Sequence, residues 1–199
     1  MYFKLLKLAN VLIKIFFNIN YIGKSNIPLD ENFIVCANHK SVFDPIIVAL
    51  IFKKQIHFMG KSELFEDHGK LFSKLLYSLG AFPVNRDKVS IKSLKCAVDL
   101  LKDREIVGIF PQGRCVKNDD FAFEAKKGVA FIAKKANVPV LPISIYSKGS
   151  IRPFKKITVR IGKLIKQDEL ALCENKYNKI EVFVSAIENE IKSLLEEYH

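Results

Sequence analysis

Residues 33–45 read FIVCANHKSVFDP. Five strand-forming residues, 33–37, run into a polar stretch that carries His39 and ends in Asp44-Pro45. Aspartate before proline is a helix start, because a carboxylate can cap free amides and proline fits the first helical position. The next residues, PIIVALIF, are apolar on all sides, the mark of a buried helix. A buried strand, a polar loop and a buried helix in succession form the first part of a strand–helix–strand unit. The strand-to-polar-loop step recurs twice: AFPV leads into Asn85-Arg86-Asp87, and EIVGIF leads into PQGR, residues 111–114.

The rest of the chain has the same alternation. HFMGKSELF reads as a strand running into a helix, and LFSKLLYSL is helical in pattern. Residues 90–103 place Ile91, Leu94, Val98 and Leu101 on one face of a helix opening at Ser90. Residues 121–136 read as a lysine-rich helix, VPVLPISIY and KITVRIG as strands, and residues 180–198 as a closing amphipathic helix. These signals predict an α/β fold with a mostly parallel or mixed central sheet flanked by helices. A length of 199 residues suits one such domain, expected over residues 21–199.

Residues 1–20, MYFKLLKLANVLIKIFFNIN, predict a separate amphipathic helix. Lys14 interrupts the apolar run and no small-residue cleavage site comes after it, which argues against a signal peptide. No stretch reaches the roughly 18 uncharged apolar residues of a spanning helix. At about 100° per residue, Lys4, Lys7, Asn10, Lys14 and Asn18 share a narrow stripe, and leucine, isoleucine and phenylalanine fill most of the remaining arc. Such a helix suits a membrane interface. A helix docked on the domain or on a second subunit is the alternative, and the two are compatible. Lys and Arg outnumber Asp and Glu by 32 to 21, a net charge of +11 that calls for acidic partners. Nucleic acid fits poorly, since the phenylalanines lie in apolar runs and no nucleic-acid motif is present.

The three polar clusters each come directly after a strand, and in α/β sheets ligands bind in the crevice beyond the carboxyl ends of the strands. His39, Arg86 and Arg114 are therefore expected to converge. A histidine held by an aspartate is a general base for a hydroxyl, and two arginines beside a glycine turn suit a phosphate. No serine or cysteine sits in a nucleophile elbow, which favours direct transfer to a hydroxyl over a covalent enzyme intermediate. The four cysteines form no C-x-x-C pair and the four histidines no metal-ligand spacing. Cys115 stands out because Arg114 and Lys117 flank it, the setting of a reactive thiol. His57, His68 and the paired lysines at 53–54, 126–127, 134–135 and 155–156 read as structural or solvated positions.

NHxxxxD, GAFPVNR, FPQGR and VPVLPI, in that order, resemble the glycerolipid acyltransferase family, the lysophosphatidate (1-acylglycerol-3-phosphate) acyltransferases. The likeness spans residues 33–145. It implies that His39, beside Asn38, is the general base and that Asp44 orients it. Gly80, Phe82 and Arg86 match the second block, whose arginine binds the acceptor phosphate, and Lys61 matches the lysine of a K-x-E-L segment with the same task. Lys126, Lys127, Gly128 and Pro139 fall in the segments after the third block. That block departs from the family's F-P-E-G-T-R-S: Phe110, Pro111, Gln112 and Gly113 precede Arg114-Cys115. Either one residue is missing and Arg114 is the family arginine, or Cys115 occupies that arginine's position.

The resemblance implies transfer of an acyl chain from acyl-CoA or acyl carrier protein to the hydroxyl of lysophosphatidate. It implies no metal or other cofactor and a place on the cytoplasmic side of the cell membrane, monotopic or peripheral. Another lysophospholipid or a lyso-aminolipid as acceptor, or a non-catalytic module that binds anionic lipid, are the competing readings.

Overall fold

The computed structural model describes residues 2–85, 91–116, 123–168 and 179–197. Its strands are β1 (Asn18–Ile22), β2 (Ile34–Ala37), β3 (Ile56–Lys61), β4 (Phe82–Val84), β5 (Ile106–Ile109), β6 (Val140–Tyr146) and β7 (Lys156–Ile161). The described helices are α1 (Tyr2–Phe16), α2 (Asp44–Ala49), α3 (Ser62–Glu66), α4 (Gly69–Ser78), α5 (Ile91–Lys102), α6 (Gly128–Ala136) and α7 (Lys179–Glu196). The strands form one sheet in the order β1-β7-β6-β2-β5-β3-β4. From β6 through β4 all neighbours are parallel. β7 runs antiparallel to β6, and β1 is parallel to β7, so the sheet is mixed as expected.

Alternation along the central strands sorts side chains into two cores. Phe33, Val35 and Ala37 face a core completed by Ile47 and Val48 of α2 and by Tyr2, Leu6 and Ile13 of α1. Ile34 and Cys36 face the other, with Ala97 and Leu101 of α5, Ile132 and Ala133 of α6, and Ile187 and Ile191 of α7. β2 is buried on both faces, so its residues are apolar without interruption. Burying each of the larger ones contributes about 1.5–3 kcal/mol, which fixes β2 in place as the platform for the His39 loop.

Three local readings are corrected. The amino-terminal helix stops at Phe16, and Asn18–Ile22 is an edge strand paired with β7. The alternation Asn18-Ile19-Asn20-Tyr21 has a strand's period of two, and it directly continues a helical pattern that hides it. α6 begins only at Gly128, because the amides before it are bonded elsewhere. Ala125 N donates to Glu188 Oε1 at 2.6 Å, and Lys126 N donates to Pro111 O at 3.1 Å. In α5 the buried stripe is Ser93, Ala97 and Leu101, flanked by Leu94 and Val98. Ile91 lies about 120° from the centre of that stripe and is 85% exposed. The expected helix start at Ser90 lies outside the described residues.

α1 docks through Tyr2, Leu6 and Ile13 and leaves Leu8, Val11, Leu12, Ile15 and Phe16 exposed beside Lys4, Lys7 and Lys14. No helix among the described residues is long and apolar enough to cross a membrane.

Candidate active site

The parallel strands bring their carboxyl ends to one edge of the sheet. Because β5 returns to lie between β2 and β3, the loop after it sits beside the loop after β2. His39 comes from the first loop and residues 110–116 from the second. His39 Nδ1 lies 2.8 Å from Asp44 Oδ2, and Asp44 is fully buried. The same oxygen accepts from Lys40 N at 2.6 Å and Ser41 N at 2.8 Å. The expectation that Asp44 caps α2 therefore fails. The residue opens the helix with Pro45, but its Oδ2 turns back onto the loop and its Oδ1 is buried with no hydrogen-bond partner among the described residues. Three donors on one oxygen fix the carboxylate, and with it the imidazole tautomer that has its proton on Nδ1.

The loop is clamped from both sides. Asn38 Nδ2 donates to Ile145 O at 2.9 Å, and Asn38 Oδ1 accepts from Ile145 N at 2.6 Å, tying the motif to β6. Lys40 is buried, and its Nζ donates to Ser147 O at 3.0 Å. On the β5 side Gln112 Oε1 accepts from His39 N at 2.9 Å, and Val116 N donates to His39 O at 2.7 Å. Phe110 stacks on the His39 ring at 4.3 Å and 20°, and Phe58 stacks on Phe110 at 5.6 Å and 11°. Pro111 is buried behind the turn. The glutamine of the altered block thus spends its acceptor oxygen on the histidine backbone.

The other nitrogen of His39 is engaged as well. Cys115 Sγ lies 3.2 Å from Nε2. Burial opposes a charge on the ring, yet the Asp44 carboxylate and the Cys115 sulfur outweigh it and raise the pKa to about 9. Sequence reasoning marks Cys115 only by its charged flanks. Its contact with His39 crosses 76 positions, and no spacing rule reports it.

The phosphate-binding set is less gathered. Arg86 lies outside the described residues. Arg114 is exposed. Lys61 closes β3 with its Nζ 2.6 Å from Glu63 Oε1, and that bond holds the Glu63 carboxyl down to about 2. Gly113 has φ +70°, and a Cβ there would meet Lys126 Nζ at 3.1 Å, so the Lys126 ammonium lies against the turn. Lys126 is exposed, as its reading as a solvated lysine expects, and its ammonium is a cation beside this loop. Gly80 has φ +82°, a left-handed backbone conformation that favours glycine. Phe82 is buried in β4, and Pro139 O accepts from Ile34 N at 3.0 Å, supporting β2. Among the described residues no group of acidic, histidine and cysteine side chains has the makings of a metal site.

A buried histidine–aspartate pair thus stands at the carboxyl edge of the parallel strands, with a glycine turn and a lysine beside it. Residues 18–146 match the Acyltransferase family model, and the chain belongs to that family, the glycerolipid acyltransferases. It is 32% identical over 176 residues to the 1-acyl-sn-glycerol-3-phosphate acyltransferase of Bacillus subtilis (strain 168), covering 86% of this chain and 85% of that one. It is 30% identical over 187 residues to the enzyme of the same name from Streptococcus pneumoniae (strain ATCC BAA-255 / R6), covering 90% of this chain and 67% of that one. The fold is also that of the 1-acyl-sn-glycerophosphate (LPA) acyltransferase PlsC from Thermotoga maritima. The TM-score is 0.74 and the identity 24%, covering 98% of this chain and 78% of that one.

Proposed function

We propose that the protein is a 1-acyl-sn-glycerol-3-phosphate O-acyltransferase, and that His39 is its base and Asp44 the group that orients it. The observation that carries the reading is the buried 2.8 Å contact between His39 Nδ1 and Asp44 Oδ2, which leaves Nε2 as the ring nitrogen facing Cys115. The acceptor hydroxyl gives its proton to Nε2 as its oxygen attacks the thioester carbonyl. A C–O bond forms and the C–S bond breaks. The proton then passes from His39 to the departing thiolate. A thioester is already activated, so this route calls on no metal or other cofactor. The donor is acyl-CoA or acyl carrier protein.

The phosphate of lysophosphatidate pairs with Lys61, Arg86, Arg114 and Lys126, and the Gly113 turn lets it approach the backbone. Support for this set is the position of Lys61 and the Gly113–Lys126 contact at the strand ends that also carry His39. The acceptor is a membrane lipid, and the exposed apolar residues of α1 beside its lysines favour a peripheral or monotopic enzyme on the anionic cytoplasmic leaflet.

Thiol release from acyl-CoA in the presence of lysophosphatidate, in wild type and His39→Ala, tests the reading. Turnover in wild type that falls by about 10²–10⁴ in the variant is expected. Undiminished turnover in His39→Ala removes the general base, and a silent wild type with any lyso-acceptor and either donor favours a lipid-binding module.

A further inference from the structure

We infer that Cys115 is a reactive thiol of the active site, and that its capture by a low-molecular-weight disulfide shuts His39 off from the acceptor hydroxyl. This rests on His39 being the base proposed above. Asp44 holds the Nδ1 proton, and the Cys115 sulfur lies 3.2 Å from Nε2, close enough for sulfur and ring to share one proton. The sulfur stands where the O–H of the acceptor must come during transfer. The two cannot both pair with Nε2, so the Cys115 side chain rotates aside in each turnover. The loop keeps it within reach: Gln112 and Val116 bond the His39 backbone on either side of Cys115 in sequence.

Cysteine, histidine and aspartate in line make the arrangement that converts a thiol into a nucleophile. Cys115 is partly open to solvent, whereas Cys36 is fully buried and burial pushes its thiol up. Cys96 is exposed, but partial desolvation and the Asp99 carboxylate push its thiol up as well, away from the reactive thiolate. In the capture step the thiol proton moves to His39 Nε2 and the sulfur attacks one sulfur of the disulfide. One S–S bond forms, the other breaks, and the leaving thiolate takes a proton from water. The new substituent then occupies the space beside Nε2, and a thiol reductant reverses the exchange.

The full chain treated with dithiodipyridine tests this by two readings. Peptide mass mapping follows the rate of labelling at each cysteine, Cys173 included, and mass spectrometry follows phosphatidate formation. Cys115 is expected to label first, at least about tenfold faster in wild type than in His39→Gln. Phosphatidate formation should fall by at least about tenfold on labelling and recover with dithiothreitol, and treated and untreated Cys115→Ser should differ by less than about twofold. The inference is overturned by labelling of Cys115 that does not depend on His39, by full turnover of labelled wild type, or by an equally sensitive Cys115→Ser. An acyl adduct on Cys115 after acyl-CoA alone overturns it too, because the sulfur would then carry the acyl chain. Labelling needs no turnover, so a wild type that makes no phosphatidate sinks the proposed acceptor while the His39 dependence of labelling still decides the thiol.

Discussion

His39, the proposed base, has neighbours that favour its acid form. Burial works against a charged ring, but Asp44 and Cys115 outweigh it and carry the pKa from 6.5 to about 9. General-base catalysis uses the neutral ring, so kcat/KM is expected to climb with pH through neutrality and level off near pH 9. Cys115→Ala removes one of the two groups that hold the proton and should move that limb to lower pH. Asp44→Asn should move it further and cut kcat by about 10²–10⁴, since the tautomer is then unsupported. Profiles of kcat/KM against pH for the three proteins check the order. The same shift bears on stability with the opposite slope. A histidine whose folded pKa exceeds its unfolded value of 6.5 stabilises fully below pH 6.5 and loses that contribution as pH rises to about 9. Asn38 acts by position alone. Asn38→Ala strands the amide and carbonyl of buried Ile145 and should destabilise by about 2 kcal/mol in urea unfolding.

β5 reaches the site through a stack of rings. Gly108 lies in mid-strand where a Cβ would overlap the Phe58 ring, and Phe58 stacks on Phe110, which stacks on His39. Gly108→Ala is therefore expected to cost about 1–3 kcal/mol in thermal unfolding and also to lower kcat, because the displaced ring pushes toward the imidazole. A loss of stability with unchanged kcat would show that the stack does not transmit. Much of this element layout is legible in the sequence. FIVCA, AFPV and EIVGIF announce three strands by composition, and the polar loops after FIVCA and EIVGIF meet at one edge of the sheet. The hidden part depends on neighbours distant in sequence. β1 exists because β7 pairs with it, residues 123–126 stay outside the helix because α7 and the Pro111 turn bond them, and Cys115 meets His39 because β5 inserts beside β2. The capping rule misplaces Asp44 for a related reason: it looks forward along the chain, and the competing donors lie behind.

The net charge of +11 and the exposed face of α1 make separable claims about how the protein meets a bilayer. Electrostatic attraction to anionic lipid is screened by salt, whereas burial of apolar side chains in the interface is not. Leu12 and Ile15 are 49% and 59% exposed and point away from the core that Leu6 and Ile13 enter. Replacing both by glutamate should then leave thermal stability within about 0.5 kcal/mol of wild type, as for surface positions generally. Binding to vesicles containing phosphatidylglycerol should drop, in a flotation assay, at both low and high salt. A charge-reversed Lys4, Lys7 and Lys14 should lose binding mainly at low salt, where attraction counts most. If the glutamate pair binds as wild type does, the apolar face of α1 covers something other than a membrane. The charge would then be the whole of the attraction, and high salt alone would release the protein.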